Sequence, residues 1–389
     1  MHPKLINCAL KNQEALYLYN FRTDERYELD EESFEFLRRC TGKGSIEEIL
    51  ETASSDENEA RVLLDYLSLE GCIENGKDVD APEAFSIQDP VLPSLRYLQL
   101  HITERCNLNC AHCYLGEKEQ KDLDFKLIKK VLEEFSPNGM KVLITGGEPL
   151  LHKRFWEVLE RASTFPVRLE LLTNGTLITK EVAERLSKYI HAMQISLDGM
   201  KDGHEYLRGK DTFKKAVRGI KNAAKVLDVN VATMVHSGNL SEFEEMKEFV
   251  EAIGAREWNL DIPSLAGNAV EDILPPYPAA AEIFRRYGFG AGVHEGDQGY
   301  SCGSHICTVD VNGGVSKCGF FDEGVGNIKD ENLMMLWERV VERYTPPVKA
   351  LECWSCAVVN ECRGGCRYRA KVSGDFLGKD PFMCTMHLG

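Results

Sequence analysis

The rhythm of apolar and polar positions changes twice along the chain and marks three regions. Near the N-terminus, Leu16–Asn20 and Arg26–Leu29 flank a polar turn and predict a β-hairpin. Asp30 reads as the N-cap of a helix reaching Cys40, with Phe34 and Leu37 at helical spacing. Ser45-Ile-Glu-Glu48 is a capping box opening a second helix. Glu59–Leu69 predicts a third, with Val62, Leu63, Tyr66 and Leu67 on one face. Two strands followed by three helices predict a winged-helix-like α+β module over 1–85. The Asp-, Pro- and Glu-rich stretch 76–93 reads as a linker, which puts the connection between modules at 86–94.

From Leu95 to about Gly290, strand and helix patterns alternate. The expected strands are Tyr97–Ile102, Lys141–Thr145, Val167–Thr173, Ala192–Ser196, Val229–Met234 and Glu257–Ile262. Amphipathic stretches at Phe125–Phe135, Glu181–Tyr189, Phe213–Leu227 and Glu242–Ile253 lie between them. Six β/α units predict an α/β fold with a parallel sheet, a partial (β/α)6 barrel over 95–290. In such folds the chemistry gathers at the C-terminal ends of the strands. Residues 291–389 form a cysteine-rich C-terminal region.

Charge narrows the range of partners. Of 389 residues, 46 are Lys or Arg and 62 are Asp or Glu, a net charge of −16. The first 85 residues hold 9 of the basic and 20 of the acidic residues, so −11 sits in the first module. Phosphate binding depends on a basic face, so no nucleic-acid partner and no anionic membrane surface is expected. No apolar run approaches the ~20 residues of a membrane-spanning helix, and the N-terminus lacks a signal-peptide pattern.

Fourteen cysteines carry the candidate chemistry. Without an export signal, a cysteine-rich chain points to metal binding rather than disulfides. Cys8, Cys40 and Cys72 are scattered through the first module and read as core thiols. Cys106, Cys110 and Cys113 follow the first barrel strand, where a catalytic loop belongs. Three thiolates can hold three irons of a [4Fe–4S] cubane and leave one open; zinc with His112 as fourth ligand is the alternative. Gly146-Gly147-Glu148-Pro149 ends the second strand, and Thr173-Asn174-Gly175 the third. Ser196-Leu197-Asp198-Gly199 ends the fourth, twelve residues before Arg208.

Taken together, these motifs resemble the radical S-adenosylmethionine (SAM) superfamily. The resemblance implies that Cys106, Cys110 and Cys113 hold a cluster whose open iron chelates the amino and carboxylate groups of SAM. It also assigns SAM contacts to His112, Gly146, Gly147, Glu148, Ser196, Asp198 and Arg208. A close approach of backbone to ligand accounts for the two glycines, and an Arg fork suits a carboxylate. His112 stands where the family often has an aromatic packed beside adenine. The implied chemistry is one-electron cleavage of SAM to methionine and a 5′-deoxyadenosyl radical that takes a substrate hydrogen.

The C-terminal run Cys353-x2-Cys356-x5-Cys362-x3-Cys366, with Cys302, Cys307 and Cys318 before it and Cys384 after it, provides eight thiols. Two zinc sites or two four-cysteine clusters would each use them. The arrangement, with Gly313 five residues before Cys318 and a Gly326-Asn327-Ile328 turn before Trp337, resembles the SPASM domain. That resemblance implies auxiliary cluster I on Cys302, Cys307, Cys318 and Cys366, and auxiliary cluster II on Cys353, Cys356, Cys362 and Cys384. Both would be closed, giving three [4Fe–4S] clusters in all. Sulfatase-maturing members have an acidic base after the cysteine matching Cys318; Gly319 stands here, so that activity is not expected. Asp322, Glu323 and His305 are nearby alternatives for a base.

The first module resembles PqqD-like leader-peptide-recognition domains, which add a peptide as a strand to a sheet edge; Leu16–Leu29 is the expected edge. The combined resemblance implies a cytoplasmic, oxygen-sensitive enzyme that modifies a peptide or protein, served by ferredoxin or flavodoxin. Thioether formation, carbon–carbon crosslinking and epimerisation all fit. Modified-haem synthesis is the alternative within the superfamily, and a non-catalytic iron–sulfur DNA-binding regulator the alternative outside it.

Overall fold

The computed structural model describes residues 1–53, 56–76, 88–288 and 299–389. Most of the linker at 76–93 and the boundary expected at 290 lie outside the described residues. The first module contains strands β1 (Pro3–Leu5), β2 (Cys8–Asn12), β3 (Leu16–Asn20), β4 (Arg26–Leu29) and β5 (Ile73–Asn75). The predicted hairpin is β3–β4, and β2 extends it into a three-stranded antiparallel sheet, while β1 pairs with β5. β1, β2 and β5 were not expected; they are short and show no alternation that sets them apart from coil. β3 is therefore interior, and within Leu16–Leu29 the free edge is β4 alone.

Local chemistry sets the helix starts. Asp30 accepts from the Ser33 amide at 2.7 Å, and Ser45 and Glu48 close their capping box reciprocally. The helix Glu57–Leu69 turns only half of the expected face inward, with Leu67 buried and Leu63 packed against the core. Ala60, Leu64 and Leu67 are buried, whereas Val62 is 69% and Tyr66 45% exposed. The apolar residues cover more than half of this helix, so periodicity alone could not choose which of them face the core. Cys8, Cys40 and Cys72 are buried in the module's own core, as expected for core thiols.

All six barrel strands form within a residue of their expected bounds: β6 (Tyr97–Thr103), β7 (Lys141–Gly146), β8 (Arg168–Thr173), β9 (Ala192–Ser196), β10 (Asp228–Met234) and β11 (Glu257–Asp261). They run parallel in sequential order. The helix Lys201–Arg208, which carries Arg208, falls between β9 and β10. β12 (Ile306–Val309) then adds in parallel to β6, and β13 (Gly314–Ser316) and β14 (Gly326–Asn327) continue antiparallel. The cysteine-rich region thus extends the barrel's own sheet to nine strands. Because successive strand residues face opposite ways, Leu98, Leu100, Cys307 and Val309 enter the apolar layer under the helices, while Tyr97 and Ile306 pack with Leu143 on the other face.

The first module docks at the N-terminal ends of the barrel strands. Lys11, fully buried, donates to the carbonyls of Ser136 at 2.7 Å and Pro166 at 2.8 Å. Gln13 and Glu14 engage Arg96, just ahead of β6. The β3–β4 turn inserts Asp24, which meets Lys141 and accepts from Tyr19 Oη at 2.5 Å. Lys141 and Arg168 both pair with Glu170, and Arg168 donates to the carbonyls of Phe21 and Arg22.

Candidate active site

Every loop at the C-terminal end of β6–β9 delivers a candidate residue to one cavity of about 610 Å³. Its wall includes Cys106, Cys110, Cys113, His112, Gly146, Gly147, Ser196, Asp198 and Arg208. Glu148 lies fully buried behind it.

The cysteine loop is held by its own backbone and by its neighbours. The Cys113 amide donates to Cys110 O, and Asn268 binds Cys110 O through its side chain and Cys113 O through its amide. Asn107 links the loop to Thr176 and Asn174 at 2.8 and 3.0 Å. The two glycines also meet a close approach within the chain itself. A Cβ on Gly146, whose φ is +143°, would lie 2.2 Å from Thr103 O, and one on Gly147 2.5 Å from Arg105 O. What approaches closely is the chain leading into Cys106, so these glycines seat the cysteine loop against the end of β7.

Glu148 accepts from Thr173 Oγ1 at 2.8 and 2.9 Å and from the Asn174 amide at 2.9 Å. Burial outweighs these donors and pushes its carboxyl up to about 7. The Thr-Asn-Gly strand end therefore supports Glu148 and the cysteine loop. Asp198 and Arg208 form a buried ion pair, and Asp198 also accepts from the Met234 amide at 2.9 Å. Although burial opposes its charge, Arg208 and neighbouring groups hold the Asp198 carboxyl well below the usual range. Arg208 donates onward to His112 Nε2 at 3.4 Å. Burial lowers the His112 pKa to about 4, so its ring is neutral, and its buried Nδ1 has no partner. An orphaned ring donor on a cavity wall fits a polar ligand there.

The eight C-terminal thiols divide unevenly. Cys353, Cys356, Cys362 and Cys384 influence one another electrostatically and form one group. Cys302, Cys318 and Cys366 form another on the cavity wall, facing the Cys106–Cys113 loop. Burial pushes the Cys302 thiol up to about 11 and Cys318 up to about 12. Thiolates there call for positive partners; Lys317 and Arg369 stand beside them, and iron would add to these. Cys307 is absent from the group: it is fully buried in the apolar layer on the opposite face of β12. Among the described residues, no three His, Cys, Asp or Glu side chains converge on a point suited to one metal ion. No described cysteine forms a disulfide.

Two features were missed by sequence reading. Asp380 caps the helix Pro381–Leu388, which carries Cys384; it accepts the Cys366 amide at 2.8 Å and pairs with Arg369, joining both thiol groups. Tyr114, Phe320 and Tyr368 form a continuous aromatic contact between the two cavity-side cysteine groups, with ring centroids 5.4 and 5.3 Å apart. Tyr114 directly follows Cys113, the one local signal that could have found it. Asp322 and Glu323 are exposed and His305 is buried beside Ser94 O; none of the three lines the cavity.

Residues 100–250 match the Radical SAM superfamily. The chain is 28% identical over 319 residues to mycofactocin maturase MftC of Mycolicibacterium smegmatis, covering 73% of this chain and 81% of the relative. It is 25% identical over 334 residues to the AdoMet-dependent heme synthase of Methanosarcina barkeri, covering 74% and 95%. Among solved structures, Streptococcus suis SuiB bound to precursor peptide SuiA superposes with a TM-score of 0.71 at 16% identity, covering 98% of this chain and 99% of SuiB. The fold is thus that of radical SAM enzymes, a superfamily that implies SAM and a [4Fe–4S] cluster. Among the described residues no helix is long and apolar enough to cross a membrane.

Proposed function

We propose that this chain is a radical SAM/SPASM enzyme that cleaves SAM reductively and modifies an unactivated carbon of a ribosomally made peptide. The observation carrying this reading is one cavity walled by a three-thiol loop at the strand ends and, opposite, by three thiols of the C-terminal region. Cys106, Cys110 and Cys113 hold the reactive cluster. When bound, that cluster supplies the electron that splits SAM into methionine and a 5′-deoxyadenosyl radical.

The chain's own residues bind, orient and exclude water. Arg208, fixed by Asp198, presents a guanidinium for the SAM carboxylate. The Gly146–Gly147 backbone and Glu148 accept the SAM ammonium, and the Glu148 carboxylate ionises more readily beside that charge. Ser196 reaches the ribose, and neutral His112 packs at the adenine with Nδ1 left to donate. The first module packs against the N-terminal ends of the barrel strands, where its Tyr19, Thr23, Asp24 and Arg26 line the deep end of the cavity. Cys353, Cys356, Cys362 and Cys384 hold a second auxiliary cluster behind the first. Three clusters make the enzyme oxygen-sensitive and cytoplasmic, fed by ferredoxin or flavodoxin.

For the peptide partner, the first module offers a PqqD-like surface. The β4 edge lies beside the helix Glu57–Leu69, with the Tyr27 and Tyr66 rings 6.0 Å apart. The exposed Val62, Tyr66 and Leu69 continue that surface. A leader added as a strand would be held by backbone bonds and apolar contact, and the −11 charge selects one rich in Lys and Arg.

The test is anaerobic reconstitution followed by reaction with SAM and dithionite. The enzyme is expected to release 5′-deoxyadenosine, and Cys106/Cys110/Cys113→Ala to release none. Product from the triple variant would refute the cluster assignment. The heme synthase relative keeps tetrapyrrole chemistry as a second reading. Turnover of a tetrapyrrole, with a peptide from a neighbouring gene left unchanged, would select it.

A further inference from the structure

Between its charged floor and the SAM residues, the cavity carries polar groups that cleavage of SAM does not use. Alternation along β9 and β10 sends Met193, Ile195, Val229 and Val231 into the apolar core and turns Gln194 and Asn230 into the cavity. Asn259 of β11 joins them on the cavity wall. Asn230 stands beside Gln194 in the β9–β10 ladder. One step nearer the cysteine loop, Ala232 pairs with Ser196 on one side and with Asn259 on the other. The ladder thus sets Asn259 two strands from Ser196, about 10 Å at the usual strand spacing, with only the small Ala232 side chain between them. Asparagine is depleted in strands, and the fold gives these two nothing to bind. Among the described residues, Asn230 Oδ1 and Asn259 Nδ2 are buried without a hydrogen-bond partner. Buried amides are normally paired, so two orphans on one cavity wall call for a ligand. The charges of the floor differ in this respect: Lys141 and Arg168 already pair with Glu170, and Arg256 with Asp228.

We infer that Gln194, Asn230 and Asn259 form a subsite for the main chain of the substrate, a carboxamide layer that binds uncharged peptide groups beside the SAM ribose. The inference rests on the peptide-modifying reading above and adds which part of the peptide is held, and by which residues. A carboxamide offers a donor and an acceptor, as a peptide unit does, so the two can pair reciprocally. The last torsion of an Asn side chain is soft. An amide that no protein group holds can therefore turn either end to the ligand. A tetrapyrrole bearing carboxylates needs cations instead, and those of the floor are already paired. Main-chain recognition leaves the substrate's side chains unread at this level. What it fixes is the distance of one backbone segment from Ser196, and so which carbon lies nearest the ribose.

The experiment uses the full reconstituted chain with SAM, dithionite and the synthetic precursor peptide of the neighbouring gene. Asn230→Leu and Asn259→Leu keep the side-chain volume and cannot hydrogen-bond. Asn230→Ala and Asn259→Ala cover the case in which leucine blocks the cavity. Each variant is expected to raise the peptide KM about 10-fold, with a smaller effect on the KM for SAM. The leucine variants should unfold at the same temperature or a higher one, because each removes an unpaired amide; loss of a structural amide would lower it. Peptides with one main-chain amide replaced by an ester, scanned around the modified residue, complete a double-mutant cycle. One ester should raise the wild-type KM and have no further effect in Asn230→Ala or Asn259→Ala. An unchanged peptide KM in all four variants would overturn the inference, as would ester effects that persist in full in both alanine variants. If the wild type leaves the peptide unmodified and turns over a tetrapyrrole, the peptide reading fails first, and the inference with it.

Discussion

The two ends of the barrel put the same parallel strands to opposite uses. At the C-terminal ends, the loops stand apart around a cavity lined by thiols, and the buried Asp198–Arg208 pair faces into it. At the N-terminal ends, the β3–β4 turn pushes Asp24 against Lys141, and Lys141, Glu170 and Arg168 complete a charge network there. One end leaves its thiols facing the cavity for something yet to arrive; at the other, Asp24, Lys141, Arg168 and Glu170 line the same cavity with their charges paired among themselves. A parallel sheet directs chemistry to its C-terminal edge. The opposite edge remains open unless another element covers it, and here the first module does so.

The largest effect that separates the ends should come from Asp198→Asn. Removing one partner of a buried pair leaves the other charge uncompensated, at a cost of about 3–5 kcal/mol. Arg208 then loses the group that aims it, and SAM affinity should fall by more than ~10-fold in equilibrium binding. A variant that binds SAM normally would separate the pair from the site. At the other end, Lys141→Met removes the cation shared by Asp24 and Glu170. The expected loss is smaller, about 1–3 kcal/mol in chemical denaturation, because Arg168 still pairs with Glu170. SAM affinity should be unchanged. A loss of SAM binding comparable to that of Asp198→Asn would break the division between the ends.

These two ends were not equally legible. The catalytic end is written in short, contiguous motifs. Three cysteines within eight residues and Gly-Gly-Glu at a strand end both carry their geometry locally, as does the Asp198–Arg208 spacing. The plugged end depends on contacts between residues far apart in sequence, such as Lys11 with Pro166 and Asp24 with Lys141. Lys11 follows Cys8-Ala9-Leu10 in a strand that was not expected, and nothing near it announces two carbonyl partners. Cys307 is a similar case. Its spacing fits a ligand run, but which face of the sheet it occupies is set by the register of β12 on β6, about 200 residues apart. The glycines of β7 also preserve space for the Thr103–Arg105 backbone, a contact the motif itself does not announce. The third helix was placed correctly, but of its expected face Leu63 and Leu67 pack inward while Val62 and Tyr66 stay exposed.

The finest distinction between the ends is the sign of a pH slope. Glu148, at the catalytic end, has its folded pKa raised by burial to about 7. Between its unfolded value near 4.5 and about 7, the unfolded chain gives up a proton that the folded one keeps. Stability from this group is thus complete below about pH 4.5 and is lost as pH rises to 7. Lys11, at the plugged end, has its folded pKa lowered by burial to about 7. The unfolded chain keeps its proton up to about 10.5, so stability from Lys11 is complete above that pH and is lost as pH falls to 7. Each slope is at most about 1.4 kcal/mol per pH unit. Glu148→Gln should flatten the fall in denaturation midpoint between pH 5 and 7 and leave the alkaline limb alone. Lys11→Met should do the reverse, flattening the rise between pH 7 and 9. Its two carbonyl partners at Ser136 and Pro166 would lose their donor, so the variant should be less stable overall even as its slope disappears. If the Lys11→Met slope matches wild type, Lys11 stays charged in the folded protein, with the Ser136 and Pro166 carbonyls compensating its burial, and the plug holds by charge at both of its contacts.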